Sequence, residues 1–132
     1  MKIPVLTLDK VNKNGHVYPK EMMEKAIEKY KKDFVEQKRA LVTSRKPKSG
    51  TVNLNDVIGT VQNIGIEGDK VVVDFEFLSQ LPAAKAAEAG IKTGILNVRT
   101  AGIGSMEKDK DGNHVVQSDY QLIFCFITDD PA

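Results

Sequence analysis

The stretch DVIGTVQNIGIEGDKVVVDFEFL, residues 56–78, decides the fold. Its two apolar runs are separated by Gly68-Asp69, residues that tolerate the backbone geometry of a tight two-residue hairpin. In the second run Val71, Val73, Phe75 and Phe77 alternate with Val72, Asp74 and Glu76, so one face is dry and the other largely wet. An antiparallel pair of this kind needs a second layer over its dry face.

Residues 20–37 supply that layer. Met23, Ala26, Ile27, Tyr30 and Phe34 recur at spacings of three and four, which places them on one stripe of an amphipathic helix. Glu21 with Lys25 and Glu28 with Lys32 support it as i,i+4 pairs, and Pro19 suits its first turn. Around these two elements the chain reads as short strands. IPVLTL opens it, and DKVNKNGHVYPKE follows as a loop with Asn14-Gly15 at its turn. RALVTS is a strand. AAKAAEAG is a helix of high propensity, expected to end at Gly90 as its C-cap. GILNVRTAGIGSM is a strand broken by glycines, EKDKDGNH a polar turn, and HVVQSDYQLIFCFI forms the closing strands. The expected architecture is α+β, a mainly antiparallel, barrel-like sheet with two helices in a single domain over residues 1–132.

With 132 residues, 41% apolar and 28% charged, and a mean hydropathy of −0.28, the chain has the composition of an ordinary globular domain. No apolar run reaches the roughly 18 residues of a membrane span, and Asp9 interrupts the opening run too early for a signal peptide. Cys125, the one cysteine, lies in YQLIFCFI and reads as a buried small hydrophobe. Charge is divided unevenly. Residues 1–50 carry thirteen lysines and arginines against six carboxylates, a local +7, and the remainder six against twelve, a local −6. Much of the basic half alternates in sign, as on a solvated helix face. Only residues 38–48, with Lys38, Arg39, Arg45, Lys46 and Lys48, are basic without acidic residues between them. No aromatic residue interleaves that segment for base stacking, so contact with an acidic protein surface is expected rather than nucleic acid.

Motifs for metal, phosphate or nucleophilic chemistry are sparse. Asp109 to His114, DKDGNH, resembles a calcium loop in composition but lacks the EF-hand glycine and later glutamate, so a hairpin turn is expected. His16 and His114 are too few and too far apart in sequence for a zinc site, and neither CxxC nor HExxH occurs. GIGSM, residues 102–106, lacks the GK[ST] ending of a phosphate loop and reads as a strand bend that needs small residues. Neither a metal nor a cofactor is expected. Thr100, Ser105 and Ser44 are the hydroxyl candidates for a nucleophile, and nothing in the sequence brings His16 or His114 beside one of them.

The order of segments resembles the bacteriophage prohead maturation proteases, serine proteases related to the herpesvirus assemblins that cleave scaffold inside a newly assembled capsid. NKNGHVYPKEMMEKAIEKY is similar to the family's N-x-NGR-x-Y-P element and helix, with His16 where arginine is usual. KPKSGTVNLNDVIGTV is similar to the element that begins with the catalytic histidine. EGDKVVVDFEFLSQLPAAKAAEAGIKTGI matches the strand, turn and helix before the nucleophile strand, NVRTAGIGSM the G-[VI]-S-S-R-G-x-G motif, and FITDDPA the end of the protease domain. The match spans nearly the whole chain in order. Lys46 stands in the histidine slot, Arg99 and Thr100 in the two serine slots, and Ala101 in place of the neighbouring arginine.

A lysine is protonated at neutral pH unless burial lowers its pKa by several units, so these replacements remove the implied acyl-transfer mechanism. The resemblance therefore implies a prohead-protease-like fold without catalysts. The expected role is structural: a capsid decoration or cement protein, or a scaffold-associated assembly factor. Its partner is a capsid or scaffold chain or a second copy, and its place is the phage head, reached from the host cytoplasm during assembly. One alternative is an active protease in which Lys46 serves as base for Thr100 or Ser105. Another is a phage protein that captures a host factor.

Overall fold

The hairpin forms as its turn residues require. Strands β4 (Val57–Glu67) and β5 (Lys70–Phe77) pair antiparallel from Gly59 opposite Phe77 to Glu67 opposite Lys70. Gly68 supplies the left-handed turn at φ 64°. Val71, Val73 and Phe75 are completely buried and Phe77 partly so, which is the dry face seen in the alternation. A computed structural model describes residues 1–46, 54–78 and 80–129.

The remaining elements, in chain order, are β1 (Lys2–Thr7), β2 (His16–Val17), α1 (Lys20–Tyr30), β3 (Leu41–Thr43), α2 (Pro82–Lys92), β6 (Asn97–Ile103), β7 (Met106–Lys108), β8 (His114–Val116) and β9 (Gln121–Thr128). Six strands form one sheet in the order β1-β5-β4-β3-β9-β6, antiparallel throughout except for the parallel β3–β9 pair. Its two edges, β1 and β6, lie against each other without a ladder, so the sheet curls into a half-barrel. A second sheet, β2-β8-β7, stands beside it. The α+β, barrel-like architecture with two helices is the one the sequence predicts.

Helix α1 buries Met23, Ala26, Ile27 and Tyr30, the core-facing part of the predicted stripe. Beyond Tyr30 the chain continues as a π-helical turn, Lys31–Val35, so the helical path stops two residues short of the expected Gln37. Phe34 is half-buried, stacked on Tyr30 with ring centroids 5.2 Å apart. At the other end Pro19 occupies the N-cap position and has no capping side chain. Asp9, from the preceding loop, takes that role: its carboxylate accepts a 2.9 Å hydrogen bond from the Lys20 amide, satisfying a donor that the helix leaves unpaired.

Helix α2 departs from expectation at its C-terminus. It runs through Gly90 to Lys92, and the left-handed residue is Gly94, at φ 82°. Gly90 is small for another reason, since a Cβ there would enter the volume of the Leu96 side chain. A glycine that permits close packing is indistinguishable in sequence from one that caps a helix. The polar turn after β7 does form: the Asp109 carboxylate accepts from the amides of Asp111 and Asn113, both at 2.9 Å, and Gly112 sits at φ 81°.

Two measurements probe this core. Ile27→Asp would bury an unpaired carboxylate among the residues of the stripe, and the expected outcome is loss of a cooperative urea transition. Ile27→Val should cost only about 1 kcal/mol; an unchanged midpoint for the aspartate variant would overturn the packing. Cys125 is fully buried, and burial pushes its thiol up to about 12. Because the thiolate is the reactive form, Cys125 should resist a thiol reagent at pH 8 in the folded protein and react stoichiometrically once denaturant unfolds it.

Candidate functional site

Lys46, Arg99 and Thr100, the positions read from sequence as counterparts of the catalytic residues, are brought to one cleft, and the ladders explain how. Strand β9 pairs parallel with β3, placing Thr43 opposite Phe126, and antiparallel with β6, placing Phe126 opposite Arg99 and Cys125 opposite Thr100. The end of β3 is therefore one strand away from Arg99. Past that end the chain turns tightly. The buried Thr43 hydroxyl donates to the Arg45 carbonyl at 2.6 Å, and the Ser44 amide donates to the Asp56 carbonyl at 2.7 Å. This turn presents Lys46 at the mouth of a cleft of about 750 Å³ lined also by Arg99, Thr100, His16 and Tyr18.

Within the cleft the slots have different surroundings. Lys46 is exposed. Arg99 and Thr100, being consecutive on a strand, project to opposite faces. Thr100 lies on the rung of the buried Cys125, beside the Tyr120 phenol. Burial holds the Tyr120 phenol well above its ordinary range, the neighbouring Tyr18 and Cys125 add to this, and the Thr100 hydrogen bond opposes it. No hydrogen bond joins Lys46 to Thr100 among the described residues. Ser105, the other hydroxyl considered, is held elsewhere. Its hydroxyl donates to the Asp119 carboxylate at 3.0 Å and its amide to the same group at 3.0 Å, and these bonds draw the Asp119 carboxyl below its usual range.

Tyr120 also accounts for the glycines. A Cβ on Gly104 would stand 2.7 Å from the Tyr120 Cα, and one on Gly102 would meet the Tyr120 hydroxyl at 2.6 Å. Gly104 is required by the close passage of the Tyr120 backbone, and Gly102 by the Gln121 carbonyl together with the Tyr120 phenol, in keeping with the strand bend read from the sequence.

The histidines are where the structure adds most. Parallel pairing of β2 with β8 sets His16 directly opposite His114, and their rings meet edge to face with centroids 5.8 Å apart. Tyr18, two residues along, meets Tyr120 in the same manner at 5.8 Å. Contrary to the reading from sequence, His16 does enter the cleft that holds Thr100. Among the described residues no third histidine, cysteine or carboxylate joins the histidine pair as a metal-binding group. Only the tertiary pairing of two short strands brings these residues together, and strands of two and three residues have no periodicity that sequence could reveal.

The predicted interaction residues have different local surroundings. Lys38 follows α1 in a left-handed conformation at φ 56°. The Arg39 guanidinium lies 5.2 Å above the Phe34 ring. Arg45, read as lacking acidic partners, is paired by the fold with Asp56 at 3.3 Å. Lys46 alone of the set lines the cleft, and Lys48 lies outside the described residues.

Comparison with known proteins agrees with this geometry. A family model described as prohead core protein serine protease matches residues 4–127. Among solved structures, the capsid assembly protease gp21 of bacteriophage T4 is similar at 25% identity and a TM-score of 0.80, over 96% of this chain and 80% of that one. No curated protein matches. The family match over residues 4–127, with the similarity of fold beside it, assigns this chain to the prohead core protein serine protease family.

Proposed function

We propose that the chain is a non-catalytic member of its family that works in the phage head, where it binds capsid or scaffold chains without cutting them. The observation that carries this reading is the state of the catalytic slots. A general base must hold its proton acceptor ready near neutral pH, and a lysine does so only where burial strips its hydration. Lys46 is exposed at the cleft mouth. Thr100 lies beside a buried tyrosine and makes no hydrogen bond with Lys46 among the described residues, and Arg99 has no nucleophilic oxygen at all. The similarity to a capsid assembly protease supports a place in the head, reached from the host cytoplasm, and a decoration, cement or scaffold-associated role follows from a retained fold without the chemistry.

One observation favours a rival. His16 lines the same cleft as Thr100, so a threonine nucleophile with a histidine base would be an active protease built from different residues. The two readings differ in outcome. Purified protein incubated with scaffold and capsid chains is expected to leave them, and itself, intact by mass spectrometry. Discrete cuts that vanish in Thr100→Ala and in either His16→Ala or Lys46→Ala would overturn the non-catalytic reading and identify the base. Co-sedimentation with assembled capsids is the positive arm: the protein should co-sediment, and retain that property in Thr100→Ala.

A further inference from the structure

His16 and His114 are the only two histidines of the chain, and the fold brings both to one seam. They are rung partners in the parallel ladder of β2 with β8, so their side chains leave the same face of the small sheet. Hydrogen bonds hold the backbone at both: the His16 amide donates to the Asn12 side-chain oxygen at 3.0 Å, its carbonyl accepts from the Asn12 amide at 2.9 Å, and the His114 amide donates to the Gly15 carbonyl at 2.8 Å. The rings themselves are half-buried and meet edge to face. Among the described residues neither ring makes a hydrogen bond, which leaves their nitrogens open to a ligand. Neutral imidazole is the commonest metal ligand. It binds zinc at about 2.0–2.1 Å, so two rings sharing one ion have centroids roughly 5–6 Å apart; the observed separation is 5.8 Å. The second side-chain torsion of histidine is broad and soft, and both rings can turn toward a common point without moving the backbone. Lys108, next in the row, stands opposite His114 on β7 and is exposed, so its long stem can carry the ammonium away into water.

We propose that His16 and His114 together bind one divalent transition-metal ion of the zinc or copper(II) class, with water completing its shell. The inference goes beyond the proposed role in the phage head and holds whether or not the cleft cuts. Imidazole and thiolate are the ligands that favour these metals over magnesium and calcium. The one thiol, Cys125, is fully buried, and among the described residues no group of three or more histidines, cysteines and carboxylates competes for the ion. With two protein ligands the site is open and exchangeable, unlike the closed four-ligand shell of a structural zinc centre. A bound ion spans a ladder of only two rungs. It therefore ties the strand that leads into α1 to β8, and holds His16 in the wall of the cleft that contains Thr100.

Calorimetric titration of the intact chain with zinc chloride, together with its thermal unfolding midpoint, tests this. Zinc should bind at one ion per chain and raise the midpoint, as any ligand of the native state does, and magnesium at the same concentration should do neither. His16→Ala and His114→Ala should each weaken zinc binding at least tenfold and abolish the rise in midpoint, whereas Lys108→Ala should bind zinc at least as tightly as the intact protein. His16→Gln and His114→Gln give the same comparison if an alanine variant fails to fold. A measurement on the unaltered protein needs no variant: the ring-proton NMR resonances of both histidines should change together and saturate at one equivalent of zinc. Movement of one histidine alone, affinity within twofold of the intact protein in either single variant, or absence of zinc binding would each overturn the proposal. So would dimers that form at one ion per two chains in sedimentation, which would place the ion between copies instead of across the β2–β8 ladder.

Discussion

The double ladder of β9 is the constraint on which the site depends. A strand bonded on both sides has no freedom to shift, since a slip of one residue would turn its buried set to the opposite face. Here the parallel bond to β3 and the antiparallel bond to β6 set Thr43, Phe126 and Arg99 on one rung and Val42, Cys125 and Thr100 on the next. Val42 and Cys125 are completely buried, so core packing fixes the register. The distance between the turn bearing Lys46 and the strand bearing Arg99 and Thr100 is therefore a consequence of hydrophobic burial, not of anything the site residues do for one another.

Tyr120 has a comparable role on the opposite wall. Its phenol stands where a side chain at Gly102 would be and its backbone where one at Gly104 would be, it meets Tyr18 edge to face, and it lies beside Thr100. A single buried aromatic residue thus links the large sheet to the small one and closes the inner end of the cleft. Edge-to-face tyrosine pairs contribute about 1 kcal/mol beyond their area. The larger effect is geometric, because the chain at Tyr120 passes so close to β6 that positions 102 and 104 have room only for glycine.

Elements with a strong period were legible in the sequence and those set by long-range pairing were not. The β4–β5 hairpin announces itself through alternation and Gly68-Asp69, and α1 through the Met23, Ala26, Ile27 and Tyr30 stripe. The family resemblance, read from ordered motifs, placed Lys46, Arg99 and Thr100 as counterparts, and the fold does bring them to one cleft. What escaped has a common physical cause. The meeting of His16 with His114, the capping of α1 by Asp9 and the pairing of Arg45 with Asp56 are contacts between segments whose local sequence carries no trace of the partner. Gly90 misled because conformational freedom and small size are two properties of one residue, and only the position of Leu96 shows which is used.

The distribution of burial explains why the fold does not depend on what stands at positions 46, 99 and 100. The largest fully buried side chains, among them Tyr30, Phe75, Leu8, Met23 and Ile58, belong to the contact between α1 and the sheet and to the interior of the half-barrel. Lys46 is exposed, and Arg99 and Thr100 lie on the edge strand β6. Substitution on an edge or in a solvated turn costs little stability, whereas loss of a buried group costs several kilocalories. Stability therefore constrains the core and leaves the slots free to vary, so retained architecture carries no information about retained chemistry.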